Sequence, residues 1–121
     1  MSRILVVDDG KTMVKIISKK LEANGFDVIP AYDGQEAVLK AREENPDLII
    51  LDLNLPRING FMVCRILKYD EKYRHIPIIL LTARKSDADK WIGIKVGADA
   101  YLTKPVEMDL LVSQVKELLG N

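Results

Sequence analysis

The sequence predicts a doubly wound α/β fold, a five-stranded parallel sheet with five flanking helices, and three observations predict it. Short apolar runs alternate with segments of helical period five times along the 121 residues, the pattern of consecutive βα units. The runs Leu48-Ile49-Ile50-Leu51 and Ile78-Ile79-Leu80-Leu81 are apolar without a break, as strands covered on both faces of a parallel sheet must be. Several runs also stop at a charged or hydroxyl residue: Asp8-Asp9, Asp52, Thr82 and Lys104. Right-handed crossovers then place helices on both faces.

In order, the first run is Ile4-Leu5-Val6-Val7, stopped by Asp8-Asp9. A helix is expected from about Lys11 to Asn24, ended by Gly25 at the position after the cap. The second run covers Phe26 to Ala31. Asp33 stands three residues before Glu36, a capping-box-like start for a helix ending near Asn45-Pro46. After Leu48–Leu51, Asn59-Gly60 opens a third helix carrying Phe61, Val63, Cys64, Ile66 and Leu67. Pro77 leads into Ile78–Leu81, and a fourth helix runs from about Ser86 to Val96, ending at Gly97. The fifth strand, Ala100 to Thr103, stops at Lys104-Pro105. The last helix spans about Glu107 to Leu119, with Met108, Leu111, Val112, Val115, Leu118 and Leu119 as its apolar stripe.

The length suits one domain, residues 1–121. Lys plus Arg number 18 and Asp plus Glu 18, so no basic footprint for nucleic acid or a membrane surface is expected. The apolar runs are too short to cross a bilayer. The acidic stop after the first run is wrong for a signal peptide. A single cysteine, Cys64, allows no internal disulfide and fits a reducing cytoplasm; a buried, inert thiol is its ordinary reading.

In an open α/β sheet the ligand crevice lies beyond the carboxyl ends of the strands, so the residues that stop the runs are the informative ones. A core needs none of them, and charges at the ends of apolar strands are costly to bury unless paired or bound to an ion. If the first and third strands are neighbours, Asp8, Asp9 and Asp52 converge, and a hard divalent cation such as Mg²⁺ would relieve their repulsion. Asp52 then qualifies as a carboxylate nucleophile towards phosphorus, with Lys104 and Thr82 as donors to phosphoryl oxygens. Each residue also has a plain reading: Asp8-Asp9 as helix caps, Asp52 as a turn residue, Thr82 as a strand threonine, Lys104 as a solvated lysine. The weight lies in their all falling at strand ends of one pattern.

Ile4-Leu-Val-Val-Asp-Asp9, Pro46-Asp-Leu-Ile-Ile-Leu-Asp52-Leu-Asn-Leu-Pro56, Asn59-Gly60, Pro77-Ile-Ile-Leu-Leu-Thr82-Ala83 and Gly97-Ala-Asp-Ala-Tyr-Leu-Thr-Lys104-Pro105, in this order and spacing, resemble the response-regulator receiver domain over essentially the whole chain. The resemblance implies a flavodoxin-like, CheY-like sheet of order 2-1-3-4-5 and a phosphorylation-activated signalling switch. It implies Asp52 as phosphoacceptor, Mg²⁺ held by Asp9, Asp52 and the backbone carbonyl of Asn54, with Asp8 acting through a water. Thr82 and Lys104 would hold the phosphoryl oxygens, the Lys104-Pro105 bond would be cis, and Thr82 and Tyr101 would form the switch. Phosphorylation would draw Thr82 inward, Tyr101 would fill the vacated space, and the face of the fourth helix, fifth strand and fifth helix would change shape. Gly10 departs from the family pattern and is expected to loosen the start of the first helix. Arg84 and Asn54 occupy positions that influence phosphoryl lifetime; Arg84 reads equally as a plain surface arginine.

The phosphoryl donor would be a histidine kinase or histidine phosphotransfer protein, met through Met13 and Ile16 at the rim of the first helix. A downstream protein would dock near Trp91 and Tyr101, although core packing competes as a reading for each. Direct nucleic-acid or membrane contact is not expected, and the chain would be a monomer or a weak phosphorylation-dependent dimer. The sequence stops just after its fifth helix, so output is expected by protein contact, either from a stand-alone switch or from a receiver excised from a longer regulator. An enzyme is the competing class, a phosphohydrolase with an aspartyl nucleophile. It would want an acid two residues after the nucleophile, where Asn54 stands. A flavin-binding module of the same sheet order would need a phosphate cradle where Asp8-Asp9 stand, and those acids would repel phosphate.

Overall fold

The computed structural model describes residues 1–120. These form β1 (Arg3–Val7), α1 (Lys11–Ala23), β2 (Asp27–Ala31), α2 (Gly34–Glu44), β3 (Leu48–Leu51), α3 (Gly60–Lys68), β4 (Ile78–Thr82), α4 (Asp87–Lys95), β5 (Ala100–Thr103) and α5 (Met108–Leu118). The strands pair in parallel in the order β2-β1-β3-β4-β5. The expected doubly wound, flavodoxin-like sheet is thus the one observed.

Strand side chains alternate between faces, and the two faces build two separate layers. Leu5, Val7, Ile49, Leu51, Ile78 and Leu80 pack with Ala37, Val38 and Ala41 of α2 and Val63, Cys64 and Leu67 of α3. Ile4, Val6, Leu48, Ile50, Ile79 and Leu81 pack with Val14, Ile17 and Leu21 of α1 and Leu111, Val112 and Val115 of α5. Each fully buried Leu or Ile contributes about 2 kcal/mol on leaving water, against about 0–1 kcal/mol for an exposed ion pair. The layers therefore hold the sheet, and pairs such as Lys20–Asp109 decorate it.

Helix starts follow the side chains placed there. Asp33 accepts from the Glu36 N–H at 2.7 Å, Asn59 from Met62 at 3.0 Å, and Ser86 from Asp89 at 3.0 Å. Gly10 precedes α1 with no side-chain cap, yet the helix begins at once with Lys11. Its start is held instead by the Gly10 N–H, which donates to Asp8 Oδ1 at 2.9 Å. α4 is the outlier, since Gly93 is its one buried residue among those described.

Two glycines are needed for close approach. A Cβ on Gly34 would lie 1.7 Å from the Ile58 carbonyl oxygen, and one on Gly60 would lie 2.2 Å from that of Asp52. Both sit where a helix start presses on the segment between β3 and α3, which carries Asp52. At the far end of the sheet, Lys68 Nζ donates to the Ile76 carbonyl at 2.8 Å and to Asp99 at 2.9 Å, and Asp99 also accepts from the Ile78 N–H at 2.8 Å. Cys64 is buried, its Sγ 3.5 Å from the Val96 carbonyl oxygen. Burial pushes its thiol up to about 12.

Gly34→Ala is expected to lower the unfolding free energy by about 2–3 kcal/mol through overpacking, measured by urea denaturation; a loss below about 0.5 kcal/mol would show that the contact with Ile58 yields easily. Native chain at pH 8 should resist iodoacetamide, because the reactive thiolate is suppressed and shielded. The same chain in denaturant should be alkylated fully at Cys64, as read by intact mass.

Candidate functional site

Backbone ladders carry the predicted residues past the strand ends into one crevice. The Asp8 N–H donates to the Ala31 carbonyl at 3.2 Å, Asp52 to Val7 at 3.0 Å, and Lys104 to Thr82 at 2.8 Å. β1 and β3 are direct neighbours, so their terminal acids meet. One carboxylate oxygen from each of Asp8, Asp9 and Asp52 lies within 4.8 Å of the other two. Asp8, Asp52 and Thr82 are buried at 5%, 7% and 0% exposure, while Asp9 is open to solvent.

The ammonium of Lys104 closes the cluster. Its Nζ donates to Asp8 Oδ2 at 2.6 Å and to Asp52 Oδ2 at 3.1 Å. Burial alone would pull the lysine pKa down; the hydrogen bonds and charges of Asp8 and Asp52 outweigh it, and the net direction is up. Lys104 is therefore a cation at neutral pH. Remaining oxygens are also engaged: Asp8 Oδ1 accepts from Gly10, and Asp52 Oδ1 accepts from the Asn54 N–H at 3.3 Å. The Asn54 backbone thus wraps against Asp52, while its side chain is exposed. The peptide bond between Lys104 and Pro105 is cis.

The donor set suits a small hard cation. It consists of carboxylate oxygens, with one side open at Asp9. Among the described residues this is the one such group of three acids, cysteines or histidines. His75 is exposed and belongs to no such group.

Around the crevice the other singled-out residues separate. Thr82 Oγ1 accepts from the Arg84 N–H at 3.3 Å. The Tyr101 hydroxyl donates to the Arg84 carbonyl at 2.8 Å, and its ring is half-buried against the α2–α3 layer. Burial, with the charge of Asp89 added, holds the Tyr101 phenol above its ordinary range. The Arg84 side chain is neither loose nor aimed at the acids. It grips Asp89, Nη2 to Oδ1 at 2.8 Å and Nε to Oδ2 at 3.2 Å, and its guanidinium carbon lies 5.8 Å from the centroid of the Phe61 ring. Trp91 is 60% exposed, with Lys95 Nζ 5.2 Å from its ring centroid. On α1, Ile16 is 47% exposed and Met13 packs half-buried beside the core, whereas Ile17 and Leu21 are inside it.

Sequence reasoning passed over Asp89, although Ser86 and Asp89 stand in the spacing of a capping box, a signal that was there to use. It also passed over Gly34, whose contact lies on a distant loop and leaves no local signature.

Among the described residues no helix is long and apolar enough to cross a membrane. The family described as the response regulator receiver domain matches residues 4–116. The chain is 44% identical over 117 residues to the alkaline phosphatase synthesis transcriptional regulatory protein PhoP of Bacillus subtilis, covering 97% of this chain and 48% of that protein. It is 42% identical over 117 residues to the response regulator PleD of Caulobacter vibrioides, covering 97% of this chain and 26% of that protein. The chain thus spans about half the length, or less, of these curated relatives. A CheY-like response regulator receiver domain protein from Methanospirillum hungatei has the same fold, with TM-score 0.94 at 28% identity over 99% of this chain and 94% of that one. On its family match, its curated relatives and its fold, the chain belongs to the response regulator receiver domain family, the phosphorylation-activated switches of two-component signalling.

Proposed function

We propose that this receiver accepts a phosphoryl group on Asp52 from a phosphohistidine of a histidine kinase or phosphotransfer protein, and that α4, β5 and α5 pass the change to a downstream protein. One observation carries the reading: a single ammonium, Lys104, bridges Asp8 and Asp52 at 2.6 and 3.1 Å in a crevice formed by strand ends. A structural core has no use for such a triad, because two buried carboxylates repel and desolvate for no packing gain.

In the reaction an Asp52 oxygen attacks phosphorus. The P–N bond to the donor imidazole breaks and its electron pair stays on that ring nitrogen, which leaves as the bare nitrogen of a neutral imidazole, its proton on the other ring nitrogen, or takes up a proton from solvent. Lys104 is already within reach of Asp52 and can turn one of its N–H groups to a phosphoryl oxygen. Thr82 carries the neighbouring hydroxyl: its oxygen accepts from the Arg84 N–H, which leaves its own hydrogen to donate. Asp9, Asp52 and the Asn54 carbonyl would hold Mg²⁺ directly. Asp8, engaged by Lys104 and Gly10, would act through a water. When bound, the ion supplies positive charge against the transferring group.

Thr82 and Tyr101 form the switch in this reading, since both bond to the same residue, Arg84. Trp91 is the docking aromatic of the output face, and Met13 and Ile16 are the rim that meets the donor. Asn54 argues against a phosphohydrolase, as an amide cannot shuttle a proton to a leaving group; the chain would catalyse its own phosphorylation and dephosphorylation only. A reducing cytoplasm fits the free Cys64.

Incubation with acetyl phosphate and Mg²⁺ should add one phosphoryl group by intact mass, and Asp52→Asn should take up none. Uptake by that variant at the wild-type rate would move the acceptor to another residue. Lys104→Met should slow uptake about 100-fold, the scale of losing one preorganised donor to a developing anion, while circular dichroism stays that of the wild type. An undiminished rate would remove Lys104 from the reaction.

A further inference from the structure

Arg84 touches more of the switch than its backbone position requires. Its N–H donates to Thr82 Oγ1 at 3.3 Å, and its carbonyl accepts from the Tyr101 hydroxyl at 2.8 Å. Its guanidinium makes a two-pronged pair with Asp89 in the first turn of α4, at 2.8 and 3.2 Å. Asp89 is itself fixed, because its Oδ2 accepts from the Ser86 hydroxyl at 2.8 Å and its N–H donates to Ser86 Oγ at 3.0 Å. The Ser86 hydroxyl first, and Arg84 with it, hold the Asp89 carboxyl below the usual range, so the pair stays charged at neutral pH.

α4 has little else to hold it. Trp91 and Ile94 are exposed, and the buried contact of the helix is Gly93. A Cβ there would come within 3.0 Å of the Tyr101 ring and 3.1 Å of Leu80. The helix therefore rests on Tyr101 and Leu80 through the side-chain-free surface of one glycine, its one buried residue among those described. A two-pronged guanidinium–carboxylate pair has a fixed geometry. It transmits displacement and rotation, which a single flexible contact does not.

We propose that the Arg84–Asp89 pair is the strap that couples Thr82 to α4, making Arg84 and Asp89 positioning residues for the switch. The proposal rests on Asp52 as acceptor. When Thr82 turns to a phosphoryl oxygen, its bond to the Arg84 N–H must stretch or carry Arg84 along. With the strap intact, the movement of Arg84 drags the start of α4; without it, the loop moves and the helix stays.

The test is a set of ¹H–¹⁵N spectra of the whole chain before and during incubation with acetyl phosphate and Mg²⁺. Intact mass on the same samples gives the phosphorylated fraction. Trp91 is the sole tryptophan, so its indole N–H is an unambiguous reporter on α4. In the wild type, phosphorylation should shift both the amides beside Asp52 and the Trp91 indole. In Arg84→Ala and Asp89→Asn, phosphorylated to the same fraction, the amides beside Asp52 should still shift, while the Trp91 change falls by at least half. Arg84→Lys, which keeps the charge and loses the fork, should fall between. An undiminished Trp91 response in both of these variants, or none in phosphorylated wild type, overturns the strap. Absence of phosphoryl uptake in the wild type would instead overturn the acceptor reading, and the strap with it.

Discussion

Everything at the top of this sheet depends on one ammonium lying between two carboxylates. Asp8 and Asp52 end adjacent strands and are nearly closed to water. Two anions placed so repel one another. Lys104 offsets that repulsion, reaching Asp8 from 96 residues away in the chain. Its pKa direction follows from the same balance, since desolvation opposes the charge and the two aspartates more than restore it. With the folded value above that of the free lysine, this contribution to stability is complete below the ordinary lysine range and fades only as pH rises through the raised value. The triad therefore persists across the physiological range.

The fold supplies position more than chemistry. Each acid or amine is the first residue or two past a strand, and the ladder extends one hydrogen bond further to seat it, through Ala31, Val7 and Thr82 carbonyls. A parallel sheet with two apolar layers cannot tolerate these groups lower down, where no water or partner exists. The glycines at 34 and 60 complete the arrangement from outside. They let two helix starts press on the segment that carries Asp52, so that residue is backed by rigid main chain.

What was legible in the sequence follows from this. Uninterrupted apolar runs that stop at Asp52 and Thr82 announce both the strand and its polar tip, because hydrophobicity and side-chain chemistry change at the same residue. Sheet order was less accessible from the residues alone, since whether β1 neighbours β3 is a long-range fact; the family resemblance supplied it. Lys104 was readable as a strand-end lysine, yet its grip on Asp8 was not, being a contact between the two ends of the chain. α4 was the hardest. Its pattern, with Trp91, Ile92 and Ile94 close together, reads as much like core as like surface, and only the packing of Gly93 on Tyr101 decides that the apolar residues face outward. The Arg84–Asp89 pair joins a loop to a helix at a separation with no helical period, so periodicity could not reveal it.

The unequal anchoring of the helices explains why a charge added at one point would register at another. α1, α2, α3 and α5 each commit three or more buried residues to a layer, and close-packed interiors resist small displacements. Strain introduced at Asp52 finds no outlet through them. α4 commits one glycine, and elements with few buried contacts are the ones that rearrange at low free energy. In the proposed switch a new dianion beside Lys104 and Thr82 must be accommodated somewhere, and the physics of the packing sends that accommodation along Arg84 into the one helix free to take it. In that switch the exposed Trp91 on the same helix would let a partner tell one arrangement from the other.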